Sequence, residues 1–305
     1  MVWIALVVAL IAIASFAAGF ITSSAITNES KGFTIVDDYG RTVTLDGTPD
    51  RIISVAPSPT EILFAIGAGD QIVGLDEYSD YPAETEGIVH VGNYTLNEEM
   101  IVALQPDLIV GSDLVPRDQL ESLKGQGIPY VLFADRTLED VFKTIRLAGV
   151  ITGHVEEADQ VATALSERVD AVTNKTLATG VSKPKVYIEY DEYMGYWTYG
   201  PGSFGDDLIE LAGGENIAHN TTSEYPSVQS EFVIAQNPGI IVYTTGPWST
   251  LTKETYGSRP GWDNIDAVKY DKIFGMDANL ISRYGPRIVD CLEQLAEIVH
   301  PELFA

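Results

Sequence analysis

LEDVFKTIRLAGVITGHVEEADQVATALSERVDAVTNKTLAT, residues 138–179, is the stretch around which the chain is organised. From Val155 onward its apolar positions fall at Val155, Ala158, Ala162, Leu165, Val169, Val172 and Thr176–Leu177, steps of three and four that line one side of a helix. Glu156, Asp159, Glu167, Arg168 and Lys175 occupy the opposite, solvated side. The spacing predicts an amphipathic helix over 154–179. Gly153 separates it from a preceding helix, Glu156–Glu157 suit the positive end of its dipole, and Gly180 with Pro184 stops it. At 1.5 Å per residue it spans ~39 Å, about the width of a small domain. Periodicity alone fits an ordinary core helix equally well. Position favours a linker, because about half the chain lies on each side and both halves are written in the same style.

Working outward, Phe33–Val36 and Thr42–Leu45 alternate as a hairpin, followed by strands at Arg51–Val55, Gln71–Leu75, Asp107–Val110 and Pro129–Phe133. Helices at Ile62–Ile66, Asn97–Leu104 and Pro116–Lys124 separate them. After the long helix come strands at Lys185–Glu189, Gly239–Tyr243 and Lys272–Gly275, helices at Phe204–Ala212 and Ser230–Gln236, and a closing helix at Pro286–His300. Strands separated by single helices imply parallel sheets and an α/β class. The expected organisation is a signal or anchor segment over 1–25, a tether over 26–32, an N-terminal lobe over 33–153, the linking helix over 154–180 and a C-terminal lobe over 181–305. Ligands of open α/β sheets lie beyond the carboxyl ends of the strands, so two facing lobes define a cleft.

Composition narrows the partners. Against 44 Asp and Glu there are 18 Lys and Arg, a net charge of −26, which repels phosphate backbones and argues against nucleic acid. High acidity also suits a salty habitat. Cys291 is the only cysteine, so an intramolecular disulfide and a cysteine-based metal site are excluded, and its apolar context reads as a helix core. Residues 2–22 carry no charged side chain and are long enough to cross a bilayer. An uncleaved N-terminal anchor is favoured over a removed signal, although Ser23-Ser24-Ala25 resembles a cleavage site. No cysteine lies nearby to receive a lipid. Sequons at Asn28, Asn93, Asn174 and Asn220 are compatible with surface glycosylation.

Nothing in the residues advertises an enzyme. His90, His154, His219 and His300 lack metal-ligand spacing, Gly200–Gly205 has no phosphate-loop lysine, and no Gly-x-Ser-x-Gly elbow is present. Aromatics are more informative: Tyr187, Tyr190, Tyr193, Tyr196, Trp197 and Tyr199 crowd one stretch, and Tyr225, Tyr243 and Trp248 follow. About half should pack the core. Loop aromatics such as Trp197 and Trp248 offer flat faces to a large, partly apolar ligand.

Ser54-Val55-Ala56-Pro57-Ser58-Pro59-Thr60-Glu61, Tyr78-Ser79-Asp80-Tyr81-Pro82, Ile101 to Val110, Gly213-Gly214-Glu215-Asn216-Ile217 and Gly285-Pro286-Arg287-Ile288, in that order, resemble the substrate-binding proteins of ABC importers for cobalamin and ferric siderophores. The resemblance spans roughly residues 33–304. It implies a class III periplasmic-binding-protein fold, two Rossmann-like lobes with parallel-rich sheets joined by one rigid α-helix, preceded here by an N-terminal hydrophobic helix. Tyr78-Ser79-Asp80-Tyr81-Pro82 resembles the cobalamin branch most, implying corrin contact at Tyr78. Family tryptophans fall near Tyr94 and at Tyr225. A ligand-contacting loop matches Asn279, Leu280, Ile281, Ser282 and Arg283, with Leu280-Ile281 replacing the family's aromatic pair. Glu99 and Glu231 match the glutamates that meet permease arginines. The transported ligand brings its own metal, so no cofactor or protein metal site is implied.

The resulting expectation is a monomeric receptor, anchored outside the cell membrane, that hands a corrinoid to an ABC permease and its ATPase. A ferric siderophore or haem receptor is the alternative within the class and would want cationic side chains in the cleft, with Arg117, Arg136 and Arg259 the residues to watch. A cell-surface interaction module without a transported ligand is the alternative from another class.

Overall fold

Short β-branched and aliphatic runs become the strands. The computed structural model describes residues 32–112, 115–134, 136–178, 180–192, 195–247 and 249–305. The apolar segment expected over 1–25 lies outside them, as do Tyr193 and Trp248 and all of the tether but Gly32. Among the described residues no helix is long and apolar enough to cross a membrane.

In the first half, β1 (Phe33–Val36) and β2 (Thr42–Leu45) form the expected antiparallel hairpin. β3 (Ile52–Ser54), β4 (Ile72–Leu75), β5 (Leu108–Ser112) and β6 (Tyr130–Phe133) make an all-parallel sheet in the order β4-β3-β5-β6. The second half holds β7 (Lys185–Asp191), β8 (Tyr196–Thr198), β9 (Glu215–Asn216), β10 (Ser227–Val228), β11 (Ile240–Thr245) and β12 (Ile273–Asp277). Its path is β10-β8-β7-β11-β12, with β9 paired to β7 off that path. β7, β11 and β12 run parallel, whereas β8 and β10 add an antiparallel edge that the alternation of strands and helices does not announce.

The helices are α1 (Pro57–Ala65), α2 (Glu98–Ala103), α3 (Arg117–Gly125), α4 (Leu138–Thr152), α5 (Val155–Thr176), α6 (Phe204–Leu211), α7 (Ser230–Gln236), α8 (Lys253–Ser258), α9 (Asp266–Lys269), α10 (Ala278–Ser282), α11 (Ile288–Val299) and α12 (Pro301–Phe304). Helix α1 starts five residues before the expected Ile62 because Pro57 stands in its first turn, where a missing N–H costs nothing. Asn279–Arg283, expected as a loop, is mostly the short helix α10, capped by the Asp277 carboxylate accepting from the Asn279 N–H at 2.9 Å.

Alternation along the parallel strands sorts side chains to two faces. Ile52, Leu108, Val110, Val131 and Phe133 point into a core that continues through α4, α5 and α11 to Val186, Ile188, Ile240 and Val242 of the second sheet. Ile53, Ile109 and Leu132 face a separate first-half cluster, while Tyr187 and Ile241 face a second-half one. Each fully buried aliphatic side chain contributes roughly 1.5–3 kcal/mol. The central cluster therefore bonds both sheets to one helical layer.

Helix α5 is the middle of that layer. Its stripe buries Ala158, Ala162, Leu165, Val172 and Thr176. Gly149 of α4 lets the two helices meet closely, since a Cβ there would lie 2.4 Å from the Ala158 Cβ, and Gly153 ends α4 at φ +80°. Towards the first half Arg146 donates to Asp159 at 2.9 Å; towards the second, Arg168 reaches Asp290 at 2.5 Å and Glu293 at 2.6 and 2.9 Å. The stripe and these ion pairs fasten α5 to α4 on one side and α11 on the other.

Candidate functional site

A hydroxyl chain sets the first wall. Thr60 on α1 donates to Ser54 on β3 at 2.8 Å and lies 2.8 Å from the Ser79 hydroxyl, which in turn donates to Asp76. Asp76 also accepts from the Tyr78 N–H at 3.0 Å. Burial raises the Asp76 carboxyl above its ordinary range, and the bonds from Ser79 and Tyr78 oppose that rise. The network pins the loop after β4 and presents Tyr78 beside Tyr94, ring centroids 5.5 Å apart. Both rings are exposed, Tyr94 at 64%.

The second wall grows from β7, β11 and β12. Glu189, fully buried on β7, accepts from the two terminal guanidinium nitrogens of Arg259 at 2.6 and 2.7 Å, and Tyr187 donates to it at 3.1 Å. Arg259 lies against the rings of Tyr196, Tyr256 and Trp262 at 4.2–4.7 Å. From this box it also reaches Glu192 at 3.1 Å, while Thr250 donates to the other Glu192 oxygen at 2.8 Å. Glu192 is thereby fixed on the cleft face. Further along, Tyr225 and Tyr284 join hydroxyls at 3.2 Å, and Tyr284 stacks on Phe204 at 4.2 Å.

Among the described residues three cavities lie between the walls. One of about 610 Å³ is lined by Glu77, Tyr78, Asp80, Tyr190, Asp191, Glu192, Thr244, Gly246, Pro247, Ser249, Thr250, Leu251, Asn279 and Arg283. A second, of about 440 Å³, takes in Ser58, Asp76, Tyr78, Tyr94, Ser112, Asn279, Ser282 and Arg283. The third, about 150 Å³, adds Phe133, Arg136, Phe204, Glu224, Tyr225 and Tyr284. Tyr78, Asn279 and Arg283 are common to the first two, and Ser58 and Ser112 to the last two, so the cavities form one trench. Its lining comes from the carboxyl ends of β3, β4, β5, β6, β7, β11 and β12.

Charged groups close its floor. Glu61, 3% exposed on α1, accepts from Arg287 at 2.6 and 2.9 Å, and Arg283 lies 3.6 Å from the same carboxylate. Arg283 donates to Asp80 at 2.6 Å. Arg287 also lies over the Tyr81 ring at 3.7 Å. Its hydrogen bonds to the Glu61 carboxylate raise the Arg287 guanidinium above its usual range. These pairs join first-half and second-half residues at the back of the cleft.

The structure thus brings Tyr78, Tyr94, Tyr225, Asn279, Ser282 and Arg283 to the trench. Two expectations need correction: Ile281 is buried in the central core and Leu280 packs against it, because on the short helix α10 the face opposite Asn279 and Ser282 turns inward. Trp197 stands in β8, paired opposite Asp191 and Ser227, and is not among the trench residues. Trp248 lies outside the described residues. Glu99 and Glu231 are both exposed in the first turn of a helix, α2 and α7, one in each half. Of the arginines to watch, Arg117 lies over Tyr39, Arg136 lines the trench 3.7 Å from Glu224, and Arg259 is buried behind Glu192. Reading from residues alone overlooks Glu61, Asp80, Glu192 and Arg287 as site groups. Glu61, Asp80 and Arg287 stand inside family-like motifs, after Thr60, Ser79 and Pro286, whereas Glu192 stands in none.

Cys291 is buried in α11, and burial pushes its thiol up to about 12. Among the described residues no three His, Cys, Asp or Glu gather to hold a metal ion.

Comparison with known proteins agrees with this geometry. Residues 52–280 match the periplasmic binding protein family. An uncharacterized ABC transporter substrate-binding lipoprotein of Bacillus subtilis is 29% identical over 276 residues, 89% of this chain and 86% of that protein. A cobalamin-binding protein of Halobacterium salinarum is 28% identical over 274 residues, 87% of this chain and 73% of its own length. The periplasmic heme-binding protein of Roseiflexus sp. RS-1, solved in apo form, superposes with a TM-score of 0.74 at 25% identity, covering 83% of this chain and 99% of the other. The chain belongs to the periplasmic binding protein family, as a substrate-binding component of ABC import of the B12, siderophore or haem class and not an enzyme.

Proposed function

We propose that this protein captures a corrinoid, cobalamin, in the trench between the two sheets and delivers it to an ABC permease. One observation carries the choice of ligand: the trench offers exposed tyrosine faces at Tyr78, Tyr94 and Tyr225, while among the described residues its largest cavity sets four carboxylates, Glu77, Asp80, Asp191 and Glu192, against the single guanidinium of Arg283. A haem or an acidic ferric siderophore brings carboxylates that such a wall repels. A corrin rimmed by uncharged carboxamides stacks on tyrosine and hydrogen-bonds with carboxylates at no charge penalty.

In this reading residues 33–153 and 181–305 are two lobes and 154–180 is their rigid link, supported by the central core running through α4, α5 and α11. Loading moves the lobes little. Glu99 and Glu231, exposed on opposite halves, register a monomeric receptor on the paired subunits of the permease; such exposed charges orient more than they bind. The apolar segment 2–22 holds the receptor on the outer face of the membrane.

The test is tyrosine and tryptophan fluorescence of the purified protein titrated separately with cyanocobalamin, a ferric hydroxamate and haem. Saturable quenching by cyanocobalamin at micromolar concentration or below is expected. Clear binding of the hydroxamate or haem without cyanocobalamin binding contradicts the proposal.

A further inference from the structure

The trench contains a cation that it does not offer. Among the described residues its only basic side chains are Arg283 and Arg136. Arg283 donates to Asp80 at 2.6 Å, lies 3.6 Å from buried Glu61, and leaves only 11% of its side chain exposed. Arg136 faces Glu224 at 3.7 Å. On the opposite side Glu192 is held in place by Thr250 and by Arg259, which Glu189 already engages through both nitrogens. A ligand carboxylate entering here meets fixed negative charge, and the guanidinium that would answer it is occupied.

Asp80 is the group that makes the difference. Glu61 is already satisfied by Arg287 through two bonds, so the exposed Asp80 carboxylate is the one that faces Arg283 from the cleft side. Resting on the corrinoid reading above, we propose that Asp80 is a specificity-determining residue: by occupying Arg283 it makes the trench accept a scaffold rimmed by carboxamides and reject the same scaffold bearing a carboxylate.

The probe pair is cyanocobalamin and a monocarboxylic acid derived from it by hydrolysis of one peripheral carboxamide, which differ by one charge at pH 7.5 and hardly in shape. The wild-type protein is expected to bind the acid about tenfold more weakly than the parent, and the gap narrows in 1 M salt, where charges are screened within about 3 Å. Asp80→Asn, at a side chain 67% exposed and so compatible with folding, is expected to lower that discrimination about tenfold. Adding Arg283→Met to Asp80→Asn restores it, because the released guanidinium is what receives the carboxylate. Equal affinities for the two ligands in the wild-type protein, or the same ratio in Asp80→Asn, overturns the inference while parent binding leaves the corrinoid reading intact. A wild-type protein that binds neither overturns both, and circular dichroism of each variant establishes that a lost ratio is not a lost fold.

Discussion

Glu61→Ala tests the frame on which the cleft depends. Glu61 is nearly inaccessible, takes two charge-assisted bonds from Arg287 and sits beside Arg283, whose side chains are 16% and 11% exposed. Removing the carboxylate strands the largely buried Arg287 guanidinium and leaves Arg283 to Asp80 alone. Loss of one partner from a buried ion pair costs about 3–5 kcal/mol, much of it the stranded charge. At about 2 °C per kcal/mol for a chain of this size, the melting temperature should fall by about 6–10 °C. Urea unfolding followed by circular dichroism measures the loss, and calorimetry checks the melting shift. A double-mutant cycle with Arg287→Ala should give a coupling of roughly 1–3 kcal/mol. Because Glu61 and Arg287 come from opposite halves, the variant should also bind ligand more weakly. A loss below about 1 kcal/mol with unchanged affinity would refute the view that this cluster holds the walls in register.

Other perturbations separate ligand capture from delivery. Tyr78→Ala removes an exposed ring at the centre of the trench and should weaken cyanocobalamin binding about thirtyfold, the equivalent of ~2 kcal/mol, in an equilibrium titration. Glu99→Ala combined with Glu231→Ala should leave that titration unchanged and depress uptake of labelled cobalamin in cells; a loss of affinity equal to that of Tyr78→Ala contradicts the assigned roles. His219 receives a different test. Its imidazole contacts the Asp206 carboxylate at 3.0 Å, and that bond raises its proton affinity above the ordinary value. A raised folded-state value means stabilisation that is complete below about pH 6.5 and lost as pH climbs through the raised value. Urea midpoints at pH 5.5 and 8.5 should therefore differ less in His219→Gln than in the wild-type protein, the effect being small because the imidazole is half exposed.

The parallel strands were legible because both their faces are buried. Ile52–Ile53 and Val131–Leu132–Phe133 supply an uninterrupted apolar run, and alternate residues then find the central or the outer core. Helix α5 was legible from its stripe to within a few residues, with Gly153 marking its start. The edge strands β8 and β10 were not, since three and two residues carry no usable period and their pairing partners lie about thirty residues apart. At the site, Tyr78 and Arg283 could be named from motifs, but the chemistry around them could not. Glu61 and Arg287 are 226 residues apart in sequence and meet only because the halves are folded together. Ile281 departs from the expected loop because Asp277 caps a helical turn there, which rotates Ile281 into the core and sets the half-buried Leu280 against it. The acid wall likewise needs the topology: Glu77 and Asp80 follow β4, Asp191 and Glu192 lie at the end of β7, and nothing local unites them.

Competitive equilibrium dialysis of the protein against cyanocobalamin with haem in excess shows directly which ligand the trench takes. One cyanocobalamin bound per chain, undisplaced by a tenfold excess of haem, is the predicted result. Haem bound at saturation with cyanocobalamin left free would contradict it.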